Sequence, residues 1–321
     1  MRHGRQLGFV FILSMLVLGG GTSSARAGTI GREFALPTPY SYPTAMARGP
    51  DRALWFSEWG SNQIGRISPS GVVTDYPIPT PASGPNGVAA GPDGAVWFTE
   101  YYGNKIGRID RTGATTEFPL PEAGSNPNRI AAGPDGDLWF TERGGNRIGR
   151  ITTTGVISEF SLPHDFSAPD GIAAGPDGAL WFAESGPNVI GRITTGGSIT
   201  EFTGLTGGSP LGIAAGPDGA MWFAEDSGNQ IGRITTSGVI TEFALPRSNS
   251  QPVGISPGPD GAMWFAEYNL NTIGRITTVG VITEFSIPSP DTFPYWVIAG
   301  PRQAVWFTES VGNRIGALAL R

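Results

Sequence analysis

Residues 175–184 read GPDGALWFAE, and the chain writes variants of this phrase seven times, counting this one. Its centre recurs at Trp55-Phe56, Trp97-Phe98, Trp139-Phe140, Trp181-Phe182, Trp222-Phe223, Trp264-Phe265 and Trp306-Phe307. Successive tryptophans stand 42, 42, 42, 41, 42 and 42 residues apart. A period that constant is the mark of a repeat architecture.

Working outward from the phrase, each unit reads as four short strands. In the fourth copy, Gly171–Ala174 is a strand of small residues, and Gly175–Gly178 is a turn suited to positive φ. Ala179–Glu184 is an aromatic and branched strand, Asn188–Ile193 the third, and Ile199–Phe202 the fourth. Seven such units predict an all-β fold, a seven-bladed β-propeller of four-stranded antiparallel blades. Blades converge on the axis, so the innermost strand must be small, while the Trp and Phe of the second strand fill the widening gap between blades. The ends predict how the ring closes. Thr29–Pro37, TIGREFALP, repeats the fourth-strand pattern of Ile240–Pro246, and the last unit stops after its third strand. The N-terminal strand is therefore expected to complete the last blade.

The first 27 residues are of another kind. Arg2, His3 and Arg5 precede an apolar run from Leu7 to Leu18, and Ala25-Arg26-Ala27 offers a small-residue cleavage site. This predicts a secretory signal peptide over 1–27, a single propeller domain over 28–321, and a product in the periplasm or outside the cell. An uncleaved anchor is the other reading, for which the apolar run is short. The chain has no cysteine, so neither disulfides nor thiolate metal sites are possible. Loss of Arg2, Arg5 and Arg26 would leave 18 Lys+Arg against 27 Asp+Glu, a net charge of −9. Such a surface argues against nucleic acid or an anionic membrane as partner. A monomer without a membrane span is expected.

In an up-and-down blade, the start of the first strand and the end of the second lie on one face of the disc. Two sets of residues should therefore surround one axial mouth. The first is Glu58, Glu100, Glu142, Glu184, Glu225, Glu267 and Glu309. These carboxylates could bind a hard metal or act as bases. Alternatively they accept hydrogen bonds within their blades or pair with the repeat arginines Arg66, Arg108, Arg150, Arg192, Arg233 and Arg275. The second set follows the proline that opens the first strand: Thr44, Asn86, Asn128, Asp170, Leu211, Val253 and Tyr295. It varies from unit to unit, and such variation on a rigid scaffold is where function concentrates. Trp59, Tyr101, Tyr268, Tyr295 and Trp296 would give the mouth an aromatic surface for a small-molecule or peptide ligand, unless they pack the loops. His164, beside Asp165, is the one histidine beyond the first 27 residues. Without a second histidine there, a metal would rest on oxygen ligands, which favours Mg²⁺ or Ca²⁺.

GPDGALWFAE followed by NVIGRITTGGSITEF resembles the virginiamycin B lyase (streptogramin B lyase) family, from about Thr29 to the C-terminus. The resemblance implies a seven-bladed propeller. It also implies Mg²⁺-assisted elimination that opens type B streptogramins, an antibiotic-resistance activity in which a histidine base removes a proton and the metal stabilises the enolate. The family's histidines follow the first-strand proline of the last two blades, where this chain has Val253 and Tyr295. Its acidic residue before the last proline corresponds to Phe293, and its metal-binding glutamate to Glu309. Two functions stay open. One is a binding propeller that uses the aromatic mouth. The other is a lyase with a rebuilt site, in which Asp170 or a glutamate such as Glu309 is the base and Glu309 with Glu267 holds Mg²⁺.

Overall fold

A computed structural model describes residues 29–320. The predicted signal peptide lies outside these residues. Among them are seven antiparallel sheets of four strands, each a blade. Blades 1 to 6 are continuous in sequence. In blade 4 the strands are Pro169–Ala174, Ala179–Glu184, Val189–Thr194 and Ile199–Phe202, in that order from the axis outward. Blade 7 takes Pro294–Gly300, Ala304–Glu309 and Arg314–Ala319, and its outer strand is the N-terminal Thr29–Ala35. Phe34 pairs with Ile315 and stacks on Trp306 at 5.4 Å, as Phe202 stacks on Trp181 at 5.2 Å in blade 4. The ring is closed as expected.

The core is seven wedges between neighbouring blades. The Trp face of one blade meets the Phe face of the next: Trp55 packs with Phe98, Trp181 with Phe223, and Trp306 with Phe56 across the closure. Each buried ring contributes roughly 1.5–3 kcal/mol. The glycine in each third strand has a steric cause: a Cβ on Gly149 would collide with the Phe140 ring lying over it.

The Asp of the turn explains two further repeat positions. In blade 4, Asp177 Oδ1 accepts from the buried Trp181 indole at 3.1 Å, and Asp177 Oδ2 accepts from Arg192 Nε at 2.7 Å. Asp51, Asp93, Asp218 and Asp260 do the same in their blades. The expected pairing of repeat arginines with the strand-two glutamates is thus corrected. The arginines lie along the Trp face and close on the turn aspartates instead. In blade 7 both partners are lost together: Arg302 stands where the turn Asp would be and Ala317 where the arginine would be, and the Trp306 indole donates to the Pro301 carbonyl.

Candidate functional site

Pro169 lies opposite Glu184, and the equivalent pairs recur in every blade, so the first strand's start and the second strand's end do share one face of the disc. Just after each proline the register shifts by a bulge. A bulge re-aims side chains, and here it opens the backbone to side-chain partners. In blade 3, Thr141 Oγ1 accepts from the Arg129 N–H at 3.0 Å and donates to the Asp170 carbonyl of blade 4 at 2.8 Å.

The variable residues after the prolines form a belt. Asn86 Nδ2 donates to Asn128 Oδ1, and Asn128 Nδ2 donates to Asp170 Oδ2 at 3.0 Å. Asp170 Oδ2 also accepts from Arg143 at 2.8 Å, and Asp170 Oδ1 lies 3.7 Å from Arg129 Nε. Asp170, expected as a candidate base, is therefore committed as the counter-ion of two guanidiniums.

Arg129 is the residue that sequence reasoning missed. It is buried, donates to Asn86 Oδ1 at 3.1 Å, and sets its guanidinium 4.6 Å from the Trp296 ring and 5.4 Å from that of Tyr295. Blade 3 thus reaches across to blade 7. A desolvated cation–π contact of this kind contributes about 2 kcal/mol. The signal was present: at this inner position the blades carry Ala45, Gly87, Arg129, Gly171, Gly212, Gly254 and Trp296. The two large residues in a row of small ones are the two that meet.

The five predicted aromatic residues separate into three groups. Trp59 and Tyr101 lie 5.6 Å apart, each also against Tyr102. Tyr268 lies 6.1 Å from Tyr295 and 5.1 Å from Phe293. Trp296 is spent on Arg129. A cavity of about 570 Å³ opens at the mouth, lined by Tyr42, Thr44, Trp59, Gly60, Asn86, Tyr295 and Ser310. Trp59 and Tyr295 line it, while Tyr101 and Tyr268 back them. Burial raises the Tyr295 phenol above its ordinary value, although Arg129 pulls the other way.

The strand-two glutamates are fully buried and do not form a ring around the channel. Each stands two residues after the phenylalanine and shares its face, so its carboxyl points into the wedge between blades. There it meets an acid of the blade's outer strand: Glu58 with Asp75, Glu100 with Glu117, Glu142 with Glu159, Glu184 with Glu201, Glu225 with Glu242, Glu267 with Glu284, and Glu309 with Glu33. Burial first, and the neighbouring acid as well, push Glu225 and Glu309 up to about 8; burial pushes Glu267 to about 7.

Glu267 and Glu309, expected to hold Mg²⁺ together, belong to different blades and face different partners. Arg247 lies 3.9 Å from Glu267, and Arg314 lies 3.6 Å from the Glu33 that Glu309 faces. Mg²⁺ takes an octahedron of oxygens at about 2.0–2.1 Å. Two carboxylates in separate wedges, each beside a guanidinium, do not fit that demand.

Compared with known sequences, residues 21–205 and 122–321 match the profile of the Virginiamycin B lyase family. Among solved structures, the chain is similar to virginiamycin B lyase from Staphylococcus aureus, with 42% identity, a TM-score of 0.87, and coverage of 90% of this chain and 99% of that one. A streptogramin B lyase structure gives 39% identity and a TM-score of 0.89, covering 93% of this chain and all of its own. A catalytically inactive histidine-to-alanine variant of the Staphylococcus aureus enzyme, solved with quinupristin, gives 41% identity and a TM-score of 0.87, covering 90% and 99%. No curated protein is matched.

Proposed function

The chain belongs to the virginiamycin B lyase family, and from that premise we propose that it is a ligand-binding propeller whose axial mouth takes a small molecule or cyclic peptide bearing planar groups. The observation that carries this reading is the cavity of about 570 Å³ between Trp59 and Tyr295, floored by polar Thr44 and Asn86. Its size and its mix of aromatic walls with a few polar groups suit a drug-sized ligand. The lyase reading, elimination assisted by Mg²⁺, asks for a base and a metal cage at this mouth. Val253 and Tyr295 occupy the positions the family resemblance gives to histidines, Asp170 is held by arginines, and Glu267 and Glu309 do not converge. Binding without turnover is the reading that needs no missing part. The proposal places the encounter outside the cytoplasm, on the strength of the signal-like residues 1–27.

The test uses quinupristin, the compound in the relative's structure, incubated with the chain with Mg²⁺ and separately with a chelator. Calorimetry should show saturable binding with the compound recovered intact by mass spectrometry. Trp59→Ala should weaken binding on the order of tenfold or more, as loss of an aromatic anchor does. A product of unchanged mass that disappears with chelator would replace this reading with elimination. The absence of any binding would remove this class of ligand.

A further inference from the structure

Seven wedges hold a buried glutamate against a partly buried acid of the outer strand, and in blade 4 alone an imidazole joins them. His164 lies in the connection between Ile157–Ser161 of blade 3 and Pro169–Ala174 of blade 4. Its Nδ1 is 3.0 Å from Glu201 Oε2 in the outer strand of blade 4. Glu184, at the end of the second strand, completes the group: one donor atom from each of His164, Glu184 and Glu201 lies within 4.8 Å of the other two.

What surrounds the group sets it apart from the other six. At the position of His164 the other connections carry Thr38, Thr80, Glu122, Thr206, Arg247 and Ser289. At the start of the third strand, blades 2, 3 and 7 place Lys105, Arg147 and Arg314 near their outer acids. Blade 4 has the buried Val189 there, which supplies neither charge nor hydrogen bond. Glu184 is fully buried, and both of its carboxylate oxygens lack a hydrogen-bond partner, as in five of the other wedges; Glu201 Oε1 lacks one too, and only here does an imidazole stand beside them. Removing carboxylates from water without partners is costly, and buried charges are otherwise paired or bound to metal. His164 is half-exposed, which leaves an entry path from solvent.

We propose that His164, Glu184 and Glu201 form a binding site for a first-row divalent cation, represented by Zn²⁺, that clips the connection between blades 3 and 4 onto the outer strand of blade 4. One imidazole nitrogen and two carboxylates are a donor set that zinc accepts, with a fourth position left to water. The nitrogen ligand selects against Mg²⁺ and Ca²⁺, which prefer oxygen alone. The cation would take the place now spanned by the 3.0 Å His164–Glu201 contact and would neutralise the two acids. A tetrahedral shell with zinc–ligand distances of about 2.0–2.2 Å would require these donor atoms, which now lie within 4.8 Å of one another, to draw inward on binding.

The experiment is calorimetric titration of the full chain with ZnCl₂ at neutral pH, paralleled by Co²⁺ substitution read in the visible spectrum. One Zn²⁺ per chain is expected, with Mg²⁺ in equal amount unable to compete. Cobalt should show the intensified bands of a low-coordinate site. His164→Asn, at a half-exposed position, should keep the circular dichroism of the parent while losing at least about tenfold in affinity, together with the cobalt signal. Glu201→Gln should do the same, and Glu117→Gln in blade 2 should change neither. Absence of saturable zinc binding would overturn the proposal. So would binding equally tight in folded His164→Asn, or equal competition by Mg²⁺.

Discussion

Blades 1 to 6 carry a carboxylate at both ends of the second strand, and the two ends are built on opposite principles. At the turn end, Asp177 receives an indole N–H and a guanidinium, so its charge is answered within the blade. At the mouth end, Glu184 is driven into the wedge against Glu201, and the Ser167 hydroxyl beside it donates to the His164 carbonyl at 3.0 Å instead, leaving both glutamate oxygens without a donor. Burial pushes the turn aspartates up, but the arginine and indole hydrogen bonds outweigh it, and Asp51, Asp93, Asp177, Asp218 and Asp260 lie below their ordinary value. At the mouth end nothing outweighs burial, and all seven glutamates rise to about 7 or 8. The same functional group thus serves as a charged staple at one end and, at the other, as an acid whose ionisation burial resists.

The largest expected effect follows from the opposite signs. A glutamate held at about 7 or 8 in the fold, against an ordinary 4.5, gives its full contribution below about pH 4.5. That contribution is lost as pH rises through the folded value, because the native state must then bury a charge. An aspartate held below its ordinary 3.8 contributes above that pH and loses its contribution as pH falls through the folded value. Thermal midpoints should therefore peak at about pH 4 to 5 and fall on the order of 10 °C towards pH 9. Scanning calorimetry across that range checks it. A midpoint that is flat or rising from pH 5 to 8.5 would show that the mouth-end glutamates are compensated after all.

Breaking one staple is the next largest change. Asp177→Ala leaves the buried Trp181 N–H and the Arg192 guanidinium without their acceptor. An orphaned buried donor costs about 1–3 kcal/mol, and urea unfolding should show a loss of that size. Asp177→Asn keeps an acceptor for the indole and removes only a half-exposed ion pair, so it should cost about 0–1 kcal/mol. Equal losses in the two variants would make the staple an ion pair rather than an indole anchor.

The sequence already spelled out the ring, its seven blades and its closure by Thr29–Ala35, because those rest on spacing and on matching strand patterns. It also located the mouth, since the proline and glutamate positions follow from hairpin topology. Side-chain direction was harder. Phe140 and Glu142 stand two apart, and the period of a strand puts both on the wedge face; the repeat invited a ring around the axis instead. The Asp–Trp–Arg staple needs cross-strand register, which pairs Trp181 with Arg192 and which a motif alone does not state. Arg129 was visible as a large residue among Gly and Ala. That it stacks on Trp296, the other large residue of that row, was not, because the two approach from blades 167 residues apart in the chain.

The smallest expected effect is the sharpest on the comparison. The pair Glu225–Glu242 has Gln230 where blade 2 has Lys105, and Thr206 rather than a cation holds Glu242. Burial and the Glu242 charge place Glu225 at about 8. Glu225→Gln keeps the shape of the protonated acid and cannot ionise. At pH 5 the variant should melt within about 1 °C of the parent, and at pH 8.5 it should melt a few degrees higher, at roughly 2–4 °C per kcal/mol of relieved charge burial. Glu100→Gln should gain less, because Lys105, 2.7 Å from Glu117, already answers part of the charge in that wedge. If both variants gain equally, the cation beside the outer acid is irrelevant and burial alone sets the mouth end. If Glu225→Gln gains nothing at high pH, the wedge admits enough water to solvate its carboxylates, and the two ends of the blade differ in geometry but not in charge.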